Sequence, residues 1–497
     1  MPNQKNGTIC VLGATGYVGG RLVKVLLNMG WKVRAAGRSR AKLKQRPYAA
    51  QQQCELVEAD LFETESLRQA LDGCHAAFYL VHSMDGKDDF AAKDRLAAKN
   101  MILAAADAGL DRIIYLGGLI PDDPDISHHL KSRAEVGEIL SSGSVPCTIF
   151  RAGVILGTGS ASFEILRYLV DRLPAMVTPK WVRTESQPIS IRDVLFYLSN
   201  CLDCPETIGE GFDIGGPHIE TYERLFRIYQ EEAGLPKRLI IPVPLLTPQL
   251  SSHWLGLVSP VPVSLARPLI LGLKNRVVCR DVRIRSILPR ELTDARTAIK
   301  FALEKVEQHM APPCESDLEI ARRPEWLECG DTRYSGGTVF TSSYELKTDC
   351  NKESLWKKLT NIGGEVGWYC CDSLWSLRGF LDRLIGGVGM RKGRTHAKTL
   401  KVGGAIDFWR ILDVREPKRL LLKAEMHLPG DALLEFDLGQ DEAGKTILRM
   451  DSIFFPKGLA GLLYWYTLLP LHNMVFSRMA KAIVQSANCS IVSDHSR

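Results

Sequence analysis

The chain of 497 residues is too long for one ordinary domain, and its length calls for two to four. Apolar residues at 45% and charged residues at 24% exclude a mainly disordered protein, and 42 Gly with 25 Pro exclude collagen-like and low-complexity readings. A formal net charge of +6 falls short of a nucleic-acid-binding composition, and 13 Cys are too few for a disulfide scaffold.

A strand-like run already begins at Thr8, which leaves no room for a secretory leader, so a cytoplasmic protein with free thiols is expected. Up to about residue 150, apolar runs at Thr8–Leu12, Lys32–Ala36, Glu55–Ala59, Ala76–Val81, Arg112–Leu116 and Cys147–Arg151 alternate with helical patterns at Tyr17–Met29, Thr64–Leu71, Asp89–Ala108 and His129–Ser141. That alternation predicts α/β crossover units on a doubly wound parallel sheet buried on both faces. Further helices are predicted at Ser162–Leu173 and from Asp193, a good N-cap, to Leu202. Prolines 236, 242, 244, 248, 260 and 262 break the chain into short pieces, which suits an irregular substrate lobe. Domain boundaries follow: a dinucleotide-binding domain with its lobe over 1–310, a linker over 311–337 and a second domain over 338–490. In the second, a strand at Thr338–Leu346, a helix at Lys352–Thr360, four strand-like runs and a long apolar helix over Leu459–Gln485 predict an α+β fold.

Gly13-Ala14-Thr15-Gly16-Tyr17-Val18-Gly19 follows a buried strand and opens an apolar helix. In that setting the glycines allow a tight turn, backbone approach to a pyrophosphate and close helix–strand packing, while the helix N-terminus supplies positive potential. At the end of the second strand, where an acid would bond a ribose 2′-OH, the chain has Gly37-Arg38-Ser39-Arg40. Arg38 suits a 2′-phosphate with Ser39 donating beside it, so NADP(H) is expected rather than NAD(H).

These residues, with Asp60-Leu61, resemble the short-chain dehydrogenase/reductase superfamily and more closely its atypical, NmrA-like branch. The match runs over about residues 7–310 and includes Tyr79–Ser83, Phe150–Gly153 and Gln187–Asp193. The resemblance implies a Rossmann fold, Asp60 and Leu61 at the adenine, Val81 and His82 along the cofactor, and Arg151, Gly153 and Val154 near the nicotinamide. The family's Ser after the fifth strand is replaced at Gly117-Gly118, and aligning its Tyr-x-x-Ser-Lys pattern with His129–Arg133 puts His129 and Arg133 at the catalytic positions, i, i+4 on one helical face. His129 is then the candidate proton donor near neutral pH, with Arg133 holding a ribose or phosphate. His128 in the same role, and a register setting Ser127 and Lys131 at the two positions, stay open.

The second domain is similar to the helix-grip (START/polyketide cyclase-like) fold, on Ala405–Arg410, Glu425–Gly430 and Gly367-Trp368-Tyr369. Trp368, Trp375, Trp409, Arg410, Glu425, His427, Glu435 and Asp437 are candidates for a cavity wall or for the solvent face. No metal site is expected: Cys201-x-x-Cys204 lacks a partner pair, and Cys370-Cys371 reads as core. Gly458–Phe476 is apolar enough to raise a membrane question, yet holds Pro470, His472 and Asn473; it reads as the gripped helix, with peripheral membrane contact open. Nucleic acid is not expected, since no basic stripe is interleaved with aromatics. Two functions remain: an NADP(H)-dependent oxidoreductase acting on a hydrophobic carbonyl or alkene, and a non-catalytic NADP(H) sensor whose second domain binds a lipid-like ligand.

Overall fold

The structure, a computed structural model, describes residues 7–82, 90–121, 123, 126–243, 258–304, 331, 335–384, 386–387, 389, 400–441 and 444–494. These form two compact units; the second begins at Thr338, and Asp331 with residues 335–337 belongs to the first. That part of the expected linker is therefore packed structure.

In the first unit, β1 (Thr8–Leu12), α1 (Tyr17–Asn28), β2 (Lys32–Gly37), α2 (Arg40–Lys44), β3 (Cys54–Glu58), α3 (Thr64–Leu71), β4 (Cys74–Tyr79), α4 (Phe90–Asp107), β5 (Arg112–Gly118), α5 (His128–Ser141) and β6 (Cys147–Ala152) follow in turn, and β7 (Gly211–Ile214) completes the sheet. The order is β7-β6-β5-β4-β1-β2-β3, with all neighbours parallel. Alternate residues of β1 serve opposite faces. Ile9 and Val11 pack with Leu22 and Leu26 of α1 and with Val194 and Leu198; Cys10 and Leu12 pack with Leu67 of α3 and with Ala98 and Met101 of α4. This two-sided burial is why the strands read as unbroken apolar runs.

The lobe adds α6 (Ala161–Arg172), α7 (Ile191–Asn200), α8 (Tyr222–Glu232), α9 (Val263–Gly272) and α10 (Ala295–Leu303). Asp193 does not cap α7. Ser190 does, accepting from the Arg192 N–H, while buried Asp193 takes a 2.7 Å bond from Arg290 and a 2.8 Å bond from the Thr293 N–H. Prolines 244 and 248 lie outside the described residues.

The second unit comprises β8 (Phe340–Thr348), α11 (Lys352–Leu359), α12 (Asp372–Leu384), β9 (Ala405–Ile406), β10 (Trp409–Arg415), β11 (Arg419–Ala424), β12 (Gly430–Gln440), β13 (Thr446–Pro456), α13 (Gly458–Ser486) and β14 (Ile491–Asp494). Its antiparallel sheet runs β9-β10-β11-β12-β13-β8-β14. The C-terminal half of α13 buries Val475, Phe476, Met479, Ile483 and Val484 against sheet residues such as Leu346, Leu434 and Leu448. Cys350 and Cys489 form a disulfide, correcting the expectation that all thiols are free. Among the described residues no helix is long and apolar enough to cross a membrane.

Candidate functional site

Strand order reverses between β1 and β4, so the loops leaving their carboxyl ends diverge and open a crevice. A cavity of about 280 Å³ lies there. Gly13 turns the chain at φ +88°, and a Cβ on it would sit 2.8 Å from the Leu80 carbonyl oxygen, so only glycine fits between β1 and β4. Gly19 lets α1 close on the loop, since a Cβ there would run into the Gly13 carbonyl. Helix α1 starts without an acid in its first turn and presents its N-terminal N–H groups to this end of the sheet.

Gly13, Thr15 and Gly16 line the cavity on one side, and Asp60, Leu61, Val81 and His82 on others. Arg38 stands exposed at its rim and makes no ion pair among the described residues. Ser39 Oγ accepts from the Lys42 N–H and caps α2, a role that leaves its own O–H able to donate. One Asp60 oxygen accepts from the Phe62 N–H, 3.1 Å away, which fixes the loop after β3. Tyr17, Val18 and Gly19 form the first turn of α1 behind the wall, Tyr17 lying under the Arg21 guanidinium. Arg151, Gly153 and Val154 are not among the cavity-lining residues. Arg151 is held by Asp213 at 2.6 Å, and Gly153 is there because a side chain would collide with the Gln187 carbonyl.

The candidate proton donor sits in a buried chain of polar groups. Nδ1 of His82 lies 2.9 Å from Oδ2 of Asp94, which also accepts from Ser132 Oγ at 3.1 Å. Nε2 of His82 lies 3.0 Å from Nδ1 of His129. The partners set the tautomers: Asp94 accepts, so His82 carries hydrogen on Nδ1 and, when neutral, accepts at Nε2 from Nδ1–H of His129. Nε2 of His129 ends the chain and makes no hydrogen bond among the described residues. His129 is 6% exposed, and burial, then the charges of His82 and Arg133, push its pKa down to about 2. Burial also lowers His82, against the opposing pull of Asp94. Burial thus favours the neutral form of His129.

Arg133 projects from the same helix, donates to the Leu116 carbonyl at 2.8 Å, and keeps a buried Nε without a partner among the described residues. Gly118 ends β5, where an added Cβ would lie 3.7 Å from that Nε. His128 is exposed and rests edge-on against Phe90, and Ser127 is the N-cap of α5. Asp94 was absent from the sequence reading, although its signal is there: it falls on the buried stripe Ala91, Asp94, Ala98, Met101, Ala105 of α4, where an acid needs a partner.

Residues 334–479 match the family described as a protein of unknown function (DUF2867), and residues 5–172 match the NmrA-like family. Cinnamoyl-CoA reductase 1 of Oryza sativa subsp. japonica is 33% identical over 120 residues, 23% of this chain and 36% of that protein. The chloroplastic divinyl chlorophyllide a 8-vinyl-reductase of Cucumis sativus is 25% identical over 254 residues, 47% of this chain and 60% of that protein. The chain therefore spans less than two thirds of the length of these curated relatives. Among solved structures, the Citrobacter sp. triphenylmethane reductase complexed with NADP(H) is 19% identical, with 59% of this chain and 99% of that one covered at a TM-score of 0.49. Residues 5–172 thus carry the NmrA-like signature, and residues 334–479 the DUF2867 one.

Proposed function

We propose that the first unit is an NADP(H)-dependent oxidoreductase acting on a hydrophobic carbonyl or alkene. One observation carries the reading: a single cavity joins a glycine-bounded helix N-terminus, an unpaired rim arginine and an imidazole backed by a buried carboxylate. The first turn of α1 would hold the pyrophosphate, Arg38 the 2′-phosphate, and Asp60 with Leu61 the adenosine side. The nicotinamide would supply or take the hydride. Val81 and His82 wall that end, and in the neutral Asp94–His82–His129 chain each imidazole carries its hydrogen on Nδ1. That chain can accept a proton at Nε2 of His129, and in its protonated form return one to a substrate oxygen. Asp94 stabilises the added charge and fixes the ring orientations. The reductase names among the relatives support the reaction class.

A second reading is binding without turnover. It draws on Gly117-Gly118, which offer no hydroxyl, and on the lowered pKa of His129, which makes its protonated form scarce. Titration with NADPH and NADH, followed by NADPH oxidation over a carbonyl and alkene panel, separates the two. Arg38→Glu is expected to weaken NADPH by about tenfold or more while leaving NADH near wild type, and His129→Ala to abolish turnover with binding retained. Absence of affinity for either nucleotide overturns the proposal, and tight NADPH binding with no oxidation of any substrate selects the second reading.

A further inference from the structure

Cys370 and Cys371, expected in the core of the second unit, lie half-buried at its edge. Their Sγ atoms are 2.7 Å apart, close enough for one thiol to donate to the other. Neighbouring side chains of an extended strand point to opposite faces. Here Tyr369 and Cys371 both take the left-handed conformation, at φ +62°, with Gly367 at +70° before them, and the turn brings the two sulfurs together. That conformation is strained for residues other than glycine and persists only where the surroundings impose it. The surroundings do so: the Gly363 N–H donates to the Gly367 carbonyl at 2.8 Å, the Trp368 N–H to Asp372 at 3.0 Å, and the Tyr369 hydroxyl to the Lys358 carbonyl at 2.9 Å. The Cys371 carbonyl accepts from the N–H groups of Leu374 and Trp375 and so opens α12, whose Trp375 lines, with Trp409, a cavity of about 490 Å³.

Among the described residues no other free thiols combine mutual contact with access from solvent. Cys10 and Cys74 interact with each other but are buried in the first sheet, as are Cys147, Cys201 and Cys204 in their own surroundings. Cys54 and Cys279 are half-buried and touch no other thiol. Burial, and then the Cys371 sulfur, push the Cys370 thiol up to about 12 against the pull of the Arg478 charge. Cys370 therefore keeps its proton, which leaves Cys371 as the attacking sulfur. The peptide between them is trans, and it holds the two Cα atoms about 3.8 Å apart, below the usual disulfide range of about 4.4–6.8 Å. A bond between these sulfurs is thus easily reduced, which suits reversible chemistry and not a permanent brace.

We propose that Cys370–Cys371 is a modification site, a dithiol that a hydroperoxide oxidises to a vicinal disulfide and a dithiol reductant reopens. The Cys371 thiolate attacks the terminal peroxide oxygen and the O–O bond breaks. The departing oxygen takes a proton and leaves as alcohol or water, and Cys371 becomes a sulfenic acid. The Cys370 sulfur then displaces that hydroxyl, which leaves as water with the Cys370 proton, and the S–S bond forms. The thiols give up two electrons and two protons, and the hydroperoxide takes them. Reopening returns both by thiol–disulfide exchange. The site does not depend on the nucleotide reading of the first unit.

The test uses the full chain, treated with dithiothreitol, freed of it, exposed to hydrogen peroxide, alkylated with iodoacetamide and digested with trypsin. The tryptic peptide 359–378 holds these two cysteines and no other. It is expected to escape alkylation, to weigh two hydrogens less than its reduced form, and to take two alkyl groups after dithiothreitol. Closure should run about tenfold faster in the folded chain than in urea, because the turn holds the sulfurs together. Phenylarsine oxide, which bridges adjoining thiols, should block both alkylations in chain never exposed to peroxide. Cys371→Ser should leave Cys370 open to alkylation after the same peroxide treatment. Two alkylated thiols after peroxide, single cysteines carried to sulfinic or sulfonic acid, or equal rates in the folded chain and in urea overturn the proposal, and each is read on the wild-type chain.

Discussion

His129 and His82 are joined by a hydrogen bond inside a wall where neither solvates freely, and that arrangement has a thermodynamic signature. Burial lowers both imidazoles from an ordinary value of 6.5, His129 to about 2. A lowered folded-state pKa on a base means that the unfolded chain binds the proton first. The stability these residues confer is complete above 6.5 and is lost as pH falls below it, at about 1.4 kcal/mol per unit per group. His129→Gln should therefore flatten the fall in unfolding midpoint between pH 7.5 and 5.5 by about 1 kcal/mol, measured by denaturant titration. An unchanged slope would mean that His129 already protonates freely in the folded chain. The sequence showed His129 through motif alignment alone. Its partner Asp94 lies 35 residues earlier on another helix, and their meeting through His82 depends on how α4 and α5 pack beside β4 and β5.

Helix α13 shows what periodicity can and cannot tell at the element scale. Its extent was legible as Leu459–Gln485 and is Gly458–Ser486, with Pro470 inside. What fastens its far end was not: Cys489 follows α13 and bonds Cys350, at the end of β8, across 139 residues. Tying so long a loop restricts the unfolded chain and is worth about 4–5 kcal/mol in the chain-entropy account. Cys350→Ser should lower the unfolding midpoint of the second unit accordingly, read by near-ultraviolet circular dichroism of its tryptophans. A midpoint matching wild type under non-reducing conditions would show that the bond adds nothing to the packed core. Helix α12 and the strands β7 and β14 escaped the sequence reading for a common reason. Gly-Phe-Asp-Ile and Ile-Val-Ser-Asp are too short to show a period, and α12 exposes Leu377, Phe380, Leu381 and Leu384, which blurs its apolar face.

Asp331 ties a late segment of the chain back to its first helix. Its carboxylate pairs with Arg21 at 2.9 Å and with Arg46 at 2.8 Å, across 310 and 285 residues, and all three side chains are buried. Arg46 also donates to the Thr15 carbonyl, inside the glycine loop, so this ion cluster braces that loop. Removing the central acid leaves two buried guanidinium groups without their shared counter-charge. Asp331→Ala should cost the first unit about 3–5 kcal/mol and weaken NADPH in the same calorimetric titration that tests Arg38. Unchanged melting of the full chain would show that water replaces the carboxylate. A fragment ending at residue 310 should show the same defect, and one ending at 337 should not.

What the amino-acid order determined alone was local and repetitive: the alternation of apolar runs and amphipathic helices, the glycine turn between them, and the basic residue following the second strand. Each depends on neighbours a few residues apart, where backbone sterics and side-chain periodicity act directly. The tertiary structure decided which distant groups meet: Asp94 with His82 and His129, Cys350 with Cys489, Asp331 with two arginines, and Trp375 with Trp409 around one cavity. The order of residues does not encode such meetings at any fixed spacing. They arise because buried polar and apolar groups must find partners wherever the chain brings them together.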